Sequence, residues 1–223
     1  MKMKALAAAT LAIGLVAGAA PGSAQETRLG AGQVRGKNAG DFVIGFGAIG
    51  VLPTNGGRVG LIGGTPTASN SASPQLDFSY FITPNIALNL IAASTQHDVS
   101  VRNSALGNVR LGSVWALPPT LTAQWHFLPR ERISPYAGLG FNMTWFYGES
   151  GSLTPPVNRA RIRPSAGIAL NAGVDYELTP NWLLNFDVKW IMMQPDVSVN
   201  RGLIRATADI NPFVVGASVR YRF

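Results

Sequence analysis

The chain has 223 residues, a formal net charge of +7, 13% charged residues, 25 glycines and no cysteine. Disulfides and thiolate metal sites are therefore excluded, and two histidines in all offer no metal constellation. The length suits a single domain.

Met1–Lys4 carries two lysines and no acid, Ala5–Ala20 is small or apolar apart from Thr10, Pro21-Gly22 breaks that run, and Ser23-Ala24-Gln25 offers a small-residue cleavage site. This is the plan of a secretory signal peptide, and its apolar core is shorter than the roughly 20 residues of a spanning helix. Residues 1–24 are expected to be removed, 25–40 to form a flexible periplasmic segment and 41–223 to fold as one barrel. Export leaves no role for nucleic acid and makes phosphate-bearing lipid the partner of the remaining positive charge.

From residue 42 the chain alternates with period two, so successive side chains face different media. Phe42–Val51, Gln75–Ile82, Ile86–Thr95, Thr120–Phe127, Pro135–Tyr147, Gly167–Leu178, Trp182–Met193 and Phe213–Phe223 are the predicted strands. Leu139, Phe141, Met143, Trp145 and Tyr147 share one face, against Gly138, Gly140, Asn142 and Thr144. The last strand sets Phe213, Val215, Ala217, Val219, Tyr221 and Phe223 against Val214, Gly216, Ser218, Arg220 and Arg222. Thr83-Pro84-Asn85, Leu128–Ser134 and Thr179-Pro180-Asn181 are short connections. Pro sets the turn and Asn tolerates left-handed backbone there. Pro53–Pro74, Gln96–Leu117, Gly148–Ala166 and Gln194–Asn211 are expected to be long outside loops. Aromatic residues gather near both ends of the apolar face, as at the two membrane interfaces. A soluble barrel keeps its apolar face inside; here the charges lie on the other face. The pattern predicts an all-β, eight-stranded antiparallel transmembrane β-barrel with long extracellular loops and short periplasmic turns.

Several stretches are similar to a known family. Leu117-Pro118-Pro119-Thr120-Leu121-Thr122-Ala123-Gln124-Trp125-His126-Phe127 resembles an LPPTL signature of the OmpW family of outer-membrane proteins. Pro135–Asn142, Gly173-Val174-Asp175-Tyr176, Asn181-Trp182-Leu183-Leu184-Asn185 and the tail Tyr221-Arg222-Phe223 resemble further family segments in the same order. The resemblance implies an eight-stranded barrel proposed to carry small apolar solutes. It also implies that Tyr221 and Phe223 are read by the barrel-assembly machinery, and that Lys189 stands where relatives carry an aromatic residue.

Sorted by height, the inward residues form two layers. Asp41, Asp77, His126, Asp175, Glu177, Arg220 and Arg222 are expected to be a charged plug toward the periplasm, with Phe81 and Leu183 as apolar exceptions there. Ile49, Val51, Ile91, Phe146, Ile191 and Val214 are expected to line an apolar outer interior, with Lys189 nearby favouring amphipathic solutes with an acidic head. Ordinary ion pairing and interior filling are the bland alternatives for the two layers, since a barrel this small is just wide enough to be filled by side chains or to hold one small ligand. Pro118-Pro119 cannot donate to a neighbouring strand, so these two residues are a candidate lateral gap beside the third strand, or simply the point where pairing begins. Arg58, Arg102, Arg110, Arg159, Arg161, Arg163, Arg201 and Arg205 fall in the outside segments, against Asp98, Glu149, Asp196 and Asp209. Guanidinium pairs phosphate bidentately, which makes Arg159, Arg161 and Arg163 the expected contact with lipopolysaccharide.

Gly45-x-Gly47-x-x-Gly50 matches a dinucleotide pattern but sits in a strand with no following helix. His97, Asp98 and Ser100 are the material for a hydrolase, yet nearness in sequence does not assemble a triad. No enzyme activity and no cofactor are expected. Three readings stand: a barrel that binds or passes small hydrophobic molecules with lateral release into the bilayer, a structural or surface-recognition barrel without transport, and a lipid-modifying outer-membrane enzyme.

Overall fold

A computed structural model of the chain describes residues 33–60, 62–150, 160–199 and 204–223. The expected signal peptide, Arg159 and Arg201 lie outside the described residues. The strands are β1 (Phe42–Leu52), β2 (Gly56–Val59), β3 (Thr65–Ala68), β4 (Ser71–Phe81), β5 (Ile86–Ala93), β6 (Thr95–Ser104), β7 (Gly107–Leu117) and β8 (Thr120–His126). They continue with β9 (Ile133–Ser150), β10 (Ala160–Ile162), β11 (Ser165–Glu177), β12 (Trp182–Ile191), β13 (Asp196–Val199), β14 (Ile204–Asp209) and β15 (Phe213–Arg222).

Eight of them close a barrel in the order β1–β4–β5–β8–β9–β11–β12–β15, with β15 returning to β1. All these pairings are antiparallel, and the closing ladder runs from Val43↔Arg222 to Leu52↔Phe213. Closure leaves the barrel sheet without a free edge strand, the condition for a sheet to cross a bilayer. Because side chains alternate, this register sends Phe46 (63% exposed), Leu139 (60%) and Phe186 (59%) outward and keeps Asp77 and Arg222 fully buried inside. Tyr80, Trp125, Phe127, Tyr176, Trp182 and Phe223 ring the lower outside, while Trp115, Trp145, Tyr147 and Phe213 ring the upper.

The repeated hairpins show what their turn residues do. The Thr83 and Thr179 hydroxyls accept the N–H of Ile86 (3.0 Å) and Trp182 (3.1 Å). Asn85 and Asn181 donate to the carbonyls of His126 (2.8 Å) and Arg222 (3.0 Å) on the adjoining strands. Neither asparagine has positive φ, so each serves as a side-chain donor and not as a left-handed turn residue.

Each of the four expected loops contains strand among the described residues. β6 continues β5 past Ser94, and β7 leads into β8 across Pro118-Pro119. The register is unchanged across that junction, from Ile91↔Thr120 to Thr95↔Ala116. β9 climbs with them and pairs with β7 from Trp145 upward. β10, β13, β14 and β2 make a second, four-stranded sheet above the membrane. The alternation is hidden there because β6 and β7 carry register shifts at Val99/Ser100 and Val101/Ser104, and each such irregularity resets which face a residue meets. Ahead of β1, Gly36 and Lys37 are buried in the lower lumen, where Lys37 is 4% exposed.

Candidate functional site

The lower lumen is filled by paired charge. Arg222 reaches Glu177 (3.0 Å) and Asp41 (3.9 Å), and Arg35 also binds Asp41 (2.7 Å). Arg220 bridges Asp77 (3.1 Å) and Asp175 (3.1 Å), and Lys37 closes on Asp175 (3.1 Å). The Glu177 carboxylate further accepts the backbone N–H of Arg35 and Gly36. Higher up, Lys189 pairs with Asp187. Five acids (Asp41, Asp77, Asp175, Glu177, Asp187) thus face five bases (Arg35, Lys37, Lys189, Arg220, Arg222), and the formal charges cancel. Buried charge is tolerable only when paired and hydrogen-bonded in this way.

Every residue expected in the plug is in this region. His126 lies between the rings of Phe81 (5.0 Å between centroids) and Tyr136 (4.8 Å), with its Nδ1 4.0 Å from Asp175. Phe81 and Leu183 pack with Val43 and Ala87 as a small apolar cluster. Sequence reasoning missed Arg35, Lys37 and Asp187. The first two precede the first strand, where no alternation marks them as inward; Asp187 sat plainly on the polar face of its strand.

Above a polar layer, in which Gln124 donates to Asn171 (2.7 Å) and Asn171 to Asp187 (3.1 Å), the lumen turns apolar. Ile49, Val51, Ala93, Ile191, Met193 and Val214 pack together with Phe146. A second cluster of Val101, Val109 and Val197 lies in the sheets above the membrane. Between them runs a cavity of about 60 Å³ walled by Val51, Phe146, Ile191 and Val214 from the barrel and by Val99, Leu111, Ile162 and Val197 from its extension. A single water needs roughly 10–15 Å³ on this scale, so several methylene-sized groups fit without rearrangement. Three expectations are corrected. Lys189 belongs to the polar floor, its ammonium held by Asp187. Ile91 is buried but lies off the cavity wall, and Ile49 packs beneath that wall. The extension residues were missed because the segments carrying them read as loops.

Two places in the wall lack a ladder among the described residues. Ala92–Ser94 and Leu117–Pro119 face one another with no pair between Ile91↔Thr120 and Thr95↔Ala116. On its other side the proline pair stays tied. Pro119 accepts the Met143 N–H (3.2 Å), and the Asn142 side chain donates to the carbonyls of Pro118 and Pro119. Outside this break the Tyr147 and Ser94 hydroxyls are hydrogen-bonded, a bridge from β9 to the β5–β6 junction over the intervening strand. The second place lies between β9 and β10. The β9–β11 ladder stops at Thr144↔Ser165, and above it the Ile162 N–H donates to the Glu149 carboxylate (3.1 Å).

The hydrolase constellation does not assemble. His97 Nδ1 meets the Ser69 carbonyl (2.7 Å), so Nδ1 carries the proton and Nε2 accepts from Thr95 (2.9 Å). Asp98 projects to the other side and binds Ser113 (2.5 Å) and Arg110 (3.4 Å), while Ser100 pairs with Thr67 (2.8 Å). His97 is a buried wall residue of the cavity.

Residues 38–223 match the profile of the OmpW family. The chain belongs to the OmpW family. Among its relatives are the uncharacterized outer-membrane protein y4mB of Sinorhizobium fredii, 36% identical over 78% of this chain and 76% of that one, and Outer membrane protein W of Escherichia coli, 34% identical over 88% and 95%. The crystal structure of OprG from Pseudomonas aeruginosa superposes with a TM-score of 0.77 at 27% identity, covering 86% of this chain and 99% of that one. This OmpW-family chain is thus an outer-membrane β-barrel, as its closed sheet and aromatic rings require.

Proposed function

We propose that the barrel takes small hydrophobic molecules into the apolar chamber from outside and releases them sideways into the bilayer through the break at Pro118-Pro119. The observation that carries this reading is the contrast within one lumen. An apolar solute gains about 25 cal/mol per Å² of surface buried in the chamber. In the plug below, every charge already has a partner, and an apolar solute that parts those pairs replaces them with nothing. Straight passage is disfavoured, and the way left is the unladdered wall beside β5. Arg161 and Arg163, exposed above the membrane, are proposed to attract anionic head groups, with lipopolysaccharide phosphates as one source. Tyr221 and Phe223 are proposed to present the closing strand to the assembly machinery.

Uptake of dodecanol into liposomes holding wild type, Ile191→Lys or Pro118→Ala/Pro119→Ala tests the route. Both variants should slow uptake while keeping the heat-modifiable mobility of a folded barrel. Equal uptake by all three would show that neither chamber nor break is the path.

A further inference from the structure

The break between β9 and β10 opens into a cleft that the chamber reading leaves without a role. Its apolar side is Phe146 and Ile162, the same two residues that wall the chamber. Its outer side carries Arg161 and Arg163, both exposed, on either side of the inward Ile162, the last residue of β10. Neither guanidinium forms an ion pair among the described residues, whereas each of the five bases of the lumen does. Glu149, the acid that lines the same cleft, already accepts the Ile162 N–H. Tyr147 of the upper aromatic ring lines the same cleft, which sets it at the height of lipid head groups.

We propose that this cleft binds amphiphiles with one anionic head on an acyl chain, the carboxylate or phosphate held by Arg161 and Arg163 and the chain passing between Phe146 and Ile162 into the chamber. Guanidinium suits both heads because its fork of N–H donors matches two oxygens at once. The break supplies the passage, since no backbone pair has to be parted where no ladder exists. The inference rests on the chamber as the receiving site and adds the chemical class of what is received. A neutral alcohol of the same length uses the chamber without needing the arginines.

The test uses the full barrel in phosphatidylcholine nanodiscs, with empty nanodiscs subtracted, and in liposomes. Labelled dodecanoate and dodecanol are compared on wild type and on Arg161→Gln/Arg163→Gln, two exposed changes that leave the interior intact. Dodecanoate binding should weaken about tenfold in the variant, as for loss of a charge-assisted hydrogen bond, and dodecanol binding should not change. Equal loss for both probes, or for neither, overturns the proposal. Dodecanol uptake by wild type reads the chamber-and-break route separately, so its absence alone sinks that route and leaves the head-group result standing. Purified lipopolysaccharide distinguishes the two sources of anionic head. If it occupies the arginines and excludes dodecanoate, the cleft is a lipid contact and the proposal fails; dodecanoate binding that persists in its presence supports it.

Discussion

Lys189 and Asp187 show how a buried charge must be judged with its partner. Both are almost fully enclosed and paired with each other. Lys189→Met strands the Asp187 carboxylate and is expected to cost about 3–5 kcal/mol, whereas Lys189→Met with Asp187→Leu is expected to be near neutral or stabilising. Urea unfolding in lipid vesicles measures both, and additive losses would refute the coupling. His97 gives a pH effect of known sign. It stands just above the upper aromatic ring, and burial lowers its pKa from the usual 6.5. The unfolded chain binds that proton more readily, so the neutral ring's contribution is complete above the unfolded pKa and is lost as pH falls through the folded value. Between about pH 7 and about pH 5, His97→Gln should lose less stability than wild type. From the sequence, His97 could be placed outside but not faced. Its partner Ser69 is 28 residues away, and the pairing that joins them lies in a segment without clean alternation.

At the scale of elements, the decisive feature is that the third and fourth barrel strands continue upward as β6 and β7, with a gap in the ladder at their junction. Two prolines predict that gap, because each removes a donor. What proline does not reveal is the Tyr147–Ser94 hydroxyl bridge across its outer side. Tyr147→Phe keeps the ring that stacks on Trp115 (6.4 Å between centroids) and removes only the hydroxyl. Uptake of dodecanol should rise in this variant if the bridge holds the gap shut, and an unchanged rate would make the bridge incidental. The eight barrel strands were legible because one face meets lipid and the other a polar lumen, so the alternation is strict. The strands above the membrane were not, because both of their faces are mixed and the β6–β7 pairing shifts register twice.

For the whole molecule, closure is the property on which the rest depends. Phe223 donates its N–H to the Phe42 carbonyl (2.9 Å) and sets its ring against Tyr221 (4.9 Å between centroids) and Phe42 (6.2 Å). Deleting Phe223 removes the last link of the seam between first and last strands, and the expected result is a fall in heat-modifiable barrel in the outer-membrane fraction; full assembly of the truncated chain would deny the C-terminus that part. The sequence by itself determined the barrel, its eight strands, its lipid-facing side and those members of the charged layer that lie on or next to the barrel strands' polar face, from Asp41 to Arg222, since period-two alternation encodes which medium each residue meets. Only the tertiary structure decided which charges pair, that Arg35 and Lys37 complete the plug, that Lys189 serves the floor and not the chamber, and that the chamber's roof comes from segments that look like loops. Those outcomes depend on contacts between residues far apart along the chain, such as Arg222 with Glu177 and Gly36, and a local pattern carries no record of such distances.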